Sequence, residues 1–506
     1  MINDPAELDP ASADFIELAP ALLERMAAIR AAALQTLESG EPVYGVNTGM
    51  GNLSKVRLTE AEQRVHQRNL LLGRAVGSPP WLPPDEARAV LIGRLKTFLT
   101  GDSAVSIGLI QQLVALINSG HTPTIPSEGA GSAGEIIPLA HAAGPLVGLG
   151  WLQPPTASEN RAPTGAEVRM PTSATTPPGA TSGGSASPAR AVDGGAELRR
   201  ADGFLPAFVL APKEGIALLA GTPGAAGRAA LHASRVRRLA DQLTAVAAGA
   251  IAVVGANRDP YQALAARGDD VLAAEFGRLR ELAGPEPEPR SLQAPVSFRV
   301  AGHVNAHVRR TLQQLEEAVE RAFTGVTDSP AYLDGDFVGT AGFHGIDLAA
   351  YCDHLTTALV HAAEVSTARL HRLLDPSVTG LTAQLAREPG PQAGLVAIHK
   401  RAVATTHQLR RLTLPTAIST AETSNGQEDV QTFSWEAVGN LAEAIRLTRQ
   451  TTACELLAVR QAFALSARPI PPRLQDLIQA VDDVVPPIDA DRPFGEDLTR
   501  LLTNVL

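Results

Sequence analysis

The chain has 506 residues, a hydrophobic fraction of 44% and a formal net charge of −10. This length and hydrophobic content suffice for a large folded core. The negative charge and the lack of a basic stripe argue against nucleic acid or an anionic membrane surface as a partner.

The N-terminus and the cysteines bear on where the protein works. The first five residues carry an acid in place of a basic and then apolar stretch, so no signal peptide is expected. No uninterrupted apolar run reaches about 18 residues, so no membrane-spanning helix is expected. Cys352 and Cys454 have neither disulfide nor metal-site spacing and lie in apolar helical stretches. We therefore expect a cytoplasmic protein with two buried free thiols and no metal site.

Helical periodicity dominates the chain. Thr59 and Glu62 form a capping-box pattern that predicts the start of a helix. Residues 85–100 predict an amphipathic helix, and Asp102 or Ser103 is expected to cap the next one. Longer helices are predicted at about 225–254, 303–323, 347–374, 396–411 and 436–465. Because several exceed the average helix length of about 11–12 residues, they indicate a bundle core.

One segment interrupts this regularity. Residues 153–203 are rich in Pro, Gly, Ser, Thr and Ala and have little apolar content. Such a composition predicts a flexible surface insertion, and a role as a lid stays open. The sequence thus predicts an N-terminal lobe over 1–152, the insertion over 153–203, and a helical bundle over 204–506.

The most informative segment spans residues 131–141 and reads Gly-Ser-Ala-Gly-Glu-Ile-Ile-Pro-Leu-Ala-His. It resembles the signature of the histidine/phenylalanine ammonia-lyase family, whose Ala-Ser-Gly triplet forms an electrophilic methylidene-imidazolone. Aligning on the shared Pro-Leu-Ala-His places Ser132, Ala133 and Gly134 at that triplet. Alanine therefore stands where the family has its dehydrating serine. Since a methyl group has no leaving hydroxyl, we expect this prosthetic group to be absent and no other cofactor to be present.

The resemblance also implies an architecture. It predicts a mainly α fold of the ammonia-lyase type, fumarase/aspartase-like, with long central helices and a smaller N-terminal lobe. It further implies a homotetramer whose active sites are assembled from several subunits.

Residues 44–51, Tyr-Gly-Val-Asn-Thr-Gly-Met-Gly, resemble the family's loop that carries a catalytic tyrosine. Three glycines around one tyrosine predict a mobile, turn-rich loop that closes over a substrate. The resemblance assigns Tyr44 as the general base. A phenol with an ordinary pKa near ~10 needs a cation or a hydrogen-bond donor nearby to act as a base at neutral pH.

Further segments resemble the family's substrate pocket. Arg299, in Val-Ser-Phe-Arg, matches an arginine that binds the substrate carboxylate, for which a planar guanidinium fork is well suited. Glu428 matches the position that senses the substrate side chain, and its charge favours a polar or basic group over a bare phenyl ring. The other residues expected to bind substrate are Asn69, His141, Phe343, His344 and Gln427.

Several polar residues of the family are missing. Ala220 and Gly342 stand in place of asparagines, and Val296 stands in place of a tyrosine. Glu135 replaces the aspartate after the triplet. Because these losses accompany Ala133, one engineered serine-to-alanine change does not explain them, and we interpret the deficiency as native.

The sequence thus predicts a lyase-type enzyme that works without the methylidene-imidazolone. Tyr44 would act as the general acid/base, and Arg299 would bind the substrate carboxylate. The reaction would be an elimination, an isomerisation, or a conjugate addition and cyclisation on a small carboxylate-bearing molecule. Two alternatives stay open. One is a true ammonia-lyase or aminomutase whose electrophile forms from Ser132, one residue out of register. The other is a pseudoenzyme that binds a metabolite or a partner.

Overall fold

The computed structural model describes residues 1–155, 191–193, 196–285, 288, 291–418 and 421–506. They form two compact units. The first comprises Met1–Gly227, Val326–Phe343 and Ser424–Glu428, and the second comprises Arg228–Gly325, His344–Thr423 and Asp429–Leu506. The first unit therefore extends past the predicted boundaries at 152 and 204, and two later segments of the chain return to it.

The first unit combines short helices with a small sheet. Its helices are α1 (Pro20–Leu37), α2 (Glu60–Leu72), α3 (Pro84–Phe98), α4 (Ile107–Asn118), α5 (Ile136–Ala143), α6 (Glu214–Leu219) and the first turn of α7 (Pro223–Val254). Its strands are β1 (Thr122–Pro123), β2 (Trp151–Gln153), β3 (Ala191–Asp193), β4 (Ala196–Arg200), β5 (Ala331–Leu333) and β6 (Asp336–Val338). Strands β1 to β4 form one antiparallel sheet in the order β1-β2-β4-β3, and β5 pairs with β6.

The second unit is a bundle of long helices. It contains the rest of α7 and α8 (Asp270–Ala283), α9 (Val296–Arg299), α10 (Ala301–Thr324), α11 (Ile346–Leu373), α12 (Pro376–Thr379), α13 (Val396–Leu409), α14 (Ser434–Leu465), α15 (Gln475–Val484) and α16 (Phe494–Asn504). Helix α11 packs against α10, α13 and α14. The core is built mainly from Leu, Ala, Val and Ile side chains of these helices.

The main helical predictions are confirmed. All five long helices are present within a few residues of their predicted bounds. The Thr59 capping box opens α2, with both reciprocal hydrogen bonds formed. The mainly α, ammonia-lyase-type fold is also confirmed, since strands are few and short. Cys352 and Cys454 are buried free thiols.

Two local predictions need correction. Ser106, and neither Asp102 nor Ser103, caps α4, because its hydroxyl accepts the N–H of Leu109 at 3.2 Å. The predicted flexible insertion over 153–203 lies largely outside the described residues, but Trp151–Gln153 and Ala196–Arg200 at its two ends are strands and not flexible loop. Strand β4 pairs with β2, so the chain on both sides is part of one sheet.

No helix in the described ranges is both long and apolar enough to cross a membrane.

Candidate functional site

The altered triplet lies just before α5 in the first unit. The Ala133 N–H donates a hydrogen bond to Oε2 of Glu428 at 3.0 Å. The Ser132 hydroxyl donates to the carbonyl of Gly134 at 3.3 Å. Gly134 has a φ of +78°, and a Cβ there would lie 3.6 Å from Cβ of Phe343. The structure therefore brings Glu428 and Phe343, both predicted to belong to the substrate pocket, to the triplet.

Glu135, next to the triplet, is fully buried and holds the start of α7. Its two carboxylate oxygens accept the N–H groups of Gly224 and Ala225 at 2.8 and 2.7 Å. These N–H groups lie in the first turn of the helix, where backbone donors lack partners within the helix and the helix dipole favours a negative charge. Glu135 is therefore a capping residue that anchors the triplet against α7.

Tyr44 lies in a folded loop. Its hydroxyl oxygen accepts the N–H of Gly51 at 2.7 Å. The Asn47 side chain accepts the N–H of Val43 and donates to the carbonyl of Glu41, both at 2.7 Å. In the structure these side-chain bonds hold the loop in a folded conformation, and its mobility stays a prediction.

Gln67 of α2 fixes this loop to the rest of the unit. The side chain is fully buried, donates to the carbonyl of Gly45 at 3.2 Å and accepts the N–H of Gly215 at 2.9 Å. A Cβ at Gly215 would lie 2.3 Å from the carbonyl oxygen of Gln67, so glycine is required for this approach of α6 to α2. These contacts of Gln67 thus fix the position of α6, the helix before Ala220, relative to the loop that carries Tyr44.

Arg74, just after α2, is a site residue that the sequence analysis missed. Burial lowers the pKa of its guanidinium, and the charges of Tyr44 and Glu428 oppose that effect. Its Nη1 donates to the carbonyl of Leu70 at 3.3 Å, and its Nη2 lies 3.8 Å from Sδ of Met50. A cation therefore lies within electrostatic range of both predicted catalytic residues. The sequence feature that could have pointed to Arg74 as a site residue was its position directly after a predicted helix.

The other altered positions also have defined surroundings. The carbonyl of Ala220 accepts a hydrogen bond from Arg94, a buried guanidinium whose pKa burial lowers to about 10. At Gly342 a Cβ would lie 2.0 Å from the carbonyl oxygen of Val326. The backbone at 342 therefore leaves no room for the asparagine side chain that the family carries there.

Three other residues that were predicted to contact the substrate also lie in the first unit. Nε2 of His141 accepts the N–H of Gly77 at 3.0 Å, and its ring lies 5.8 Å from that of Trp81. Burial lowers the pKa of this imidazole, which favours its neutral form. His141 is therefore a hydrogen-bonded structural residue, and the side chains of Asn69 and Gln427 are exposed.

Arg299, Val296 and His344 lie in the second unit. Nη1 of Arg299 donates to Oε1 of Gln293 at 3.1 Å, while its Nε is buried without a hydrogen-bond partner in the described part of the chain. Val296 is 57% exposed. The carbonyl of His344 accepts a hydrogen bond from the Thr432 hydroxyl. Arg299 thus keeps donor capacity for an anionic group.

The long helices, the tyrosine loop and the triplet next to Glu135 are the features that the sequence predicts for a lyase-type enzyme. Residues 9–483 match the family described as aromatic amino acid lyase. The chain belongs to this family, and it is a lyase-family enzyme.

Named relatives agree with this assignment. The chain is 32% identical over 500 residues to a histidine ammonia-lyase of Anaeromyxobacter dehalogenans, covering 95% of this chain and 92% of the relative. It is 30% identical over 500 residues to a histidine ammonia-lyase of Deinococcus radiodurans, covering 96% and 88%.

Solved structures support the fold. Tyrosine aminomutase from Streptomyces globisporus is similar with a TM-score of 0.84 and 23% identity, covering 98% of this chain and 93% of that one. Ergothionase from Treponema denticola is similar with a TM-score of 0.84 and 20% identity, covering 99% and 97%.

Proposed function

We propose that this protein is a family member that works without the methylidene-imidazolone. Tyr44 moves a proton, and Arg299 binds the carboxylate of a small substrate. The reaction is an elimination, an isomerisation or a conjugate addition with cyclisation. The single observation that carries the proposal is Ala133, which offers only a methyl group and donates its backbone N–H to Glu428.

The residues at the triplet do not fit the family's prosthetic group. That group needs a hydroxyl to be lost at position 133, and alanine has none. The polar groups that the family resemblance expects around it are also missing, because Ala220 and Val296 are apolar. Gly342 has no space for a side chain beside the Val326 carbonyl. These departures support a reaction that depends on proton transfer and ion pairing.

A reaction without the prosthetic group restricts the class of substrate. A positioned acid or base contributes about 10²–10⁴-fold to a rate, and orientation adds to this. A free α-amino acid has a weakly acidic β-proton and a poor amine leaving group, so it needs covalent activation as well. A substrate with a conjugated carbonyl, or with a better leaving group than an amine, does not need this covalent activation. We therefore expect an activated, carboxylate-bearing substrate.

The geometry supports Tyr44 as the proton carrier. The phenol oxygen accepts a backbone N–H at 2.7 Å, and the Arg74 guanidinium lies within electrostatic range. The loop therefore supplies a hydrogen-bond donor and Arg74 supplies a cation, the two features that a catalytic phenol requires. Glu428, bonded to the triplet backbone, contributes a carboxylate on the same side, which favours a polar or basic group on the substrate.

The first test is the accurate mass of the purified chain and of its peptide spanning residues 131–135. We expect an unmodified backbone. Loss of one or two water molecules within this peptide, with the absorbance of the family's prosthetic group, would instead support an ammonia-lyase with an electrophile from Ser132. The histidine ammonia-lyases among the relatives favour this second candidate.

The second test compares turnover of L-histidine, L-tyrosine and ergothioneine, compounds named in the relatives and similar structures, with turnover of activated carboxylates such as β-substituted acids. We expect turnover of an activated compound, and a loss of about 10²-fold or more in Tyr44→Phe. Tyr332→Phe is the matched control. That phenol lies in β5, and its hydroxyl oxygen is 3.4 Å from the hydroxyl oxygen of Thr36. Efficient ammonia release from L-histidine by an unmodified chain would contradict the expectation of an activated substrate, and release by a dehydrated chain would contradict the proposal as a whole.

A further inference from the structure

A cleft in the second unit lies apart from the residues assigned to the reaction. It has a volume of about 710 Å³ and is formed by α11, α13 and the short helix Arg410–Thr413. The α11 side contributes Glu364, Thr367, Ala368 and His371 at helical spacing, so they share one face. The cleft is therefore a defined concavity between two packed helices.

The charge of this cleft contrasts with the net charge of −10 of the chain. Lys400, Arg410 and Arg411 line it together with one acid, Glu364. Glu364 is paired with Arg410 at 2.7 Å. In the part of the chain that the structure describes, Lys400 and Arg411 form no ion pair. Two positive charges therefore stay uncompensated in the cleft.

Histidines add further donors. The rings of His371 and His399 stack across the two helices, with centroids 4.6 Å apart and an angle of 11° between the planes. His407 lies on the same wall. The pKa of His399 is lowered by burial and then by His371 and Arg372. This lowered pKa favours the neutral imidazole of His399, which offers one N–H donor and adds no positive charge.

A buried hydroxyl lines the cleft without a partner. Thr367 is only 8% exposed, and its Oγ1 has no hydrogen-bond partner within the described residues. An unsatisfied buried polar group costs free energy comparable to a lost hydrogen bond. The hydroxyl oxygen is enclosed within the wall of the cleft, so a ligand in the cleft does not contact it directly.

We propose that this cleft between α11 and α13 binds a phosphate-bearing small molecule. The donors belong to two facing helices and a third short segment, so they approach a ligand from different directions. The several oxygens of a tetrahedral phosphate accept hydrogen bonds from such a set, whereas a planar carboxylate is satisfied by one guanidinium fork. The proposal is independent of the reaction, because none of its residues belongs to the candidate site.

The test is equilibrium binding of inorganic phosphate and of pyrophosphate to the full chain at constant ionic strength. We expect saturable binding that is tighter for pyrophosphate. Lys400→Gln and Arg411→Gln should each weaken it about tenfold, the loss of one hydrogen bond to a charged group. Arg401→Gln is the matched control, because it removes one positive charge from α13 at a residue that does not line the cleft.

Thr367→Val provides a second variant that keeps the shape of the buried side chain and removes only the hydroxyl. We expect normal folding and unchanged binding of pyrophosphate, because the hydroxyl is enclosed in the wall and the charged donors remain. The proposal is overturned if the wild-type chain shows no saturable binding, or if Arg401→Gln weakens it as much as Lys400→Gln. It is also overturned if citrate binds as tightly as pyrophosphate, since the cleft would then not select phosphate.

Discussion

Arg74 lies within electrostatic range of Tyr44 and Glu428, the two catalytic candidates of the first unit. Its guanidinium is half-buried, and there a unit charge acts more strongly on its neighbours than it does in water. Glu428 is in turn bonded to the backbone of Ala133. A cation, a phenol and a carboxylate are therefore grouped beside the altered triplet, which suits proton transfer.

Replacement of Arg74 by Gln tests this group. We expect kcat/KM for the compound turned over in the substrate comparison to fall about tenfold or more, because one charged contact is lost. Arg64→Gln is the control, since Arg64 is exposed on α2 and pairs with Glu60. Equal activity of the two variants would show that Arg74 plays no part in the reaction.

His141 gives a pH dependence of stability. Burial lowers its pKa in the folded state from the ordinary value of 6.5, so the unfolded chain binds the proton first as pH falls. The associated stability is present above pH 6.5 and is lost as pH falls from there toward the folded-state pKa. We expect urea midpoints to fall between pH 7.5 and 5.5, and to fall less in His141→Gln. His354→Gln is the control, because this histidine is exposed. An equal fall of the urea midpoint with pH in the two variants would contradict this role of His141.

The short helix Gly342–His344 shows how an element restricts a side chain. It places residue 342 directly against the backbone carbonyl of Val326. The neighbouring Phe343 is thereby directed to Gly134 at the triplet. The absent asparagine is thus a consequence of backbone packing as well as of sequence change.

Gly342→Ala should therefore destabilise the protein. A Cβ at 2.0 Å from a backbone oxygen forces the segment to move, and overpacking of this kind costs about 1–3 kcal/mol or more. Gly339→Ala is the matched control, because no atom lies within 4 Å of the added Cβ. The measurement is the urea midpoint of each variant. A Gly342→Ala midpoint equal to that of the control would mean that the backbone here adapts freely.

At the scale of the whole molecule, the second unit contains buried polar groups within its helical core. Arg369 of α11 donates from Nε and Nη2 to both oxygens of Glu455 on α14, at 2.7 and 2.9 Å, and Ser366 also donates to that carboxylate. A buried ion pair of this kind is paired and hydrogen-bonded, as its burial requires. It fixes the register of the two central helices.

The chain also exposes large apolar side chains. Leu292 is 91% exposed and Leu264 is 84% exposed, both in the second unit. Such side chains often mark protein interfaces when they cluster. We predict a homotetramer, which light scattering coupled to size-exclusion chromatography will show as a particle of four chains. A monomer at micromolar concentration would contradict the prediction.

The sequence alone was sufficient for the helices, because helix formation depends on local patterns. The capping box of Thr59 and Glu62 and the long apolar periodicities correspond to helices in the structure. The family motifs also marked Glu428 and Phe343 as residues of the substrate pocket, a role that stays a prediction. The sequence also determined that residue 133 carries only a methyl group.

Only the tertiary structure decided how these segments meet. The Ala133 to Glu428 bond joins residues 295 positions apart, and no local pattern encodes such a contact. The same holds for Arg74 beside Tyr44, for Glu135 at the start of α7, and for the return of residues 326–343 to the first unit. Their positions depend on long-range packing, which brings together segments whose own periodicity shows only that they are helices or turns.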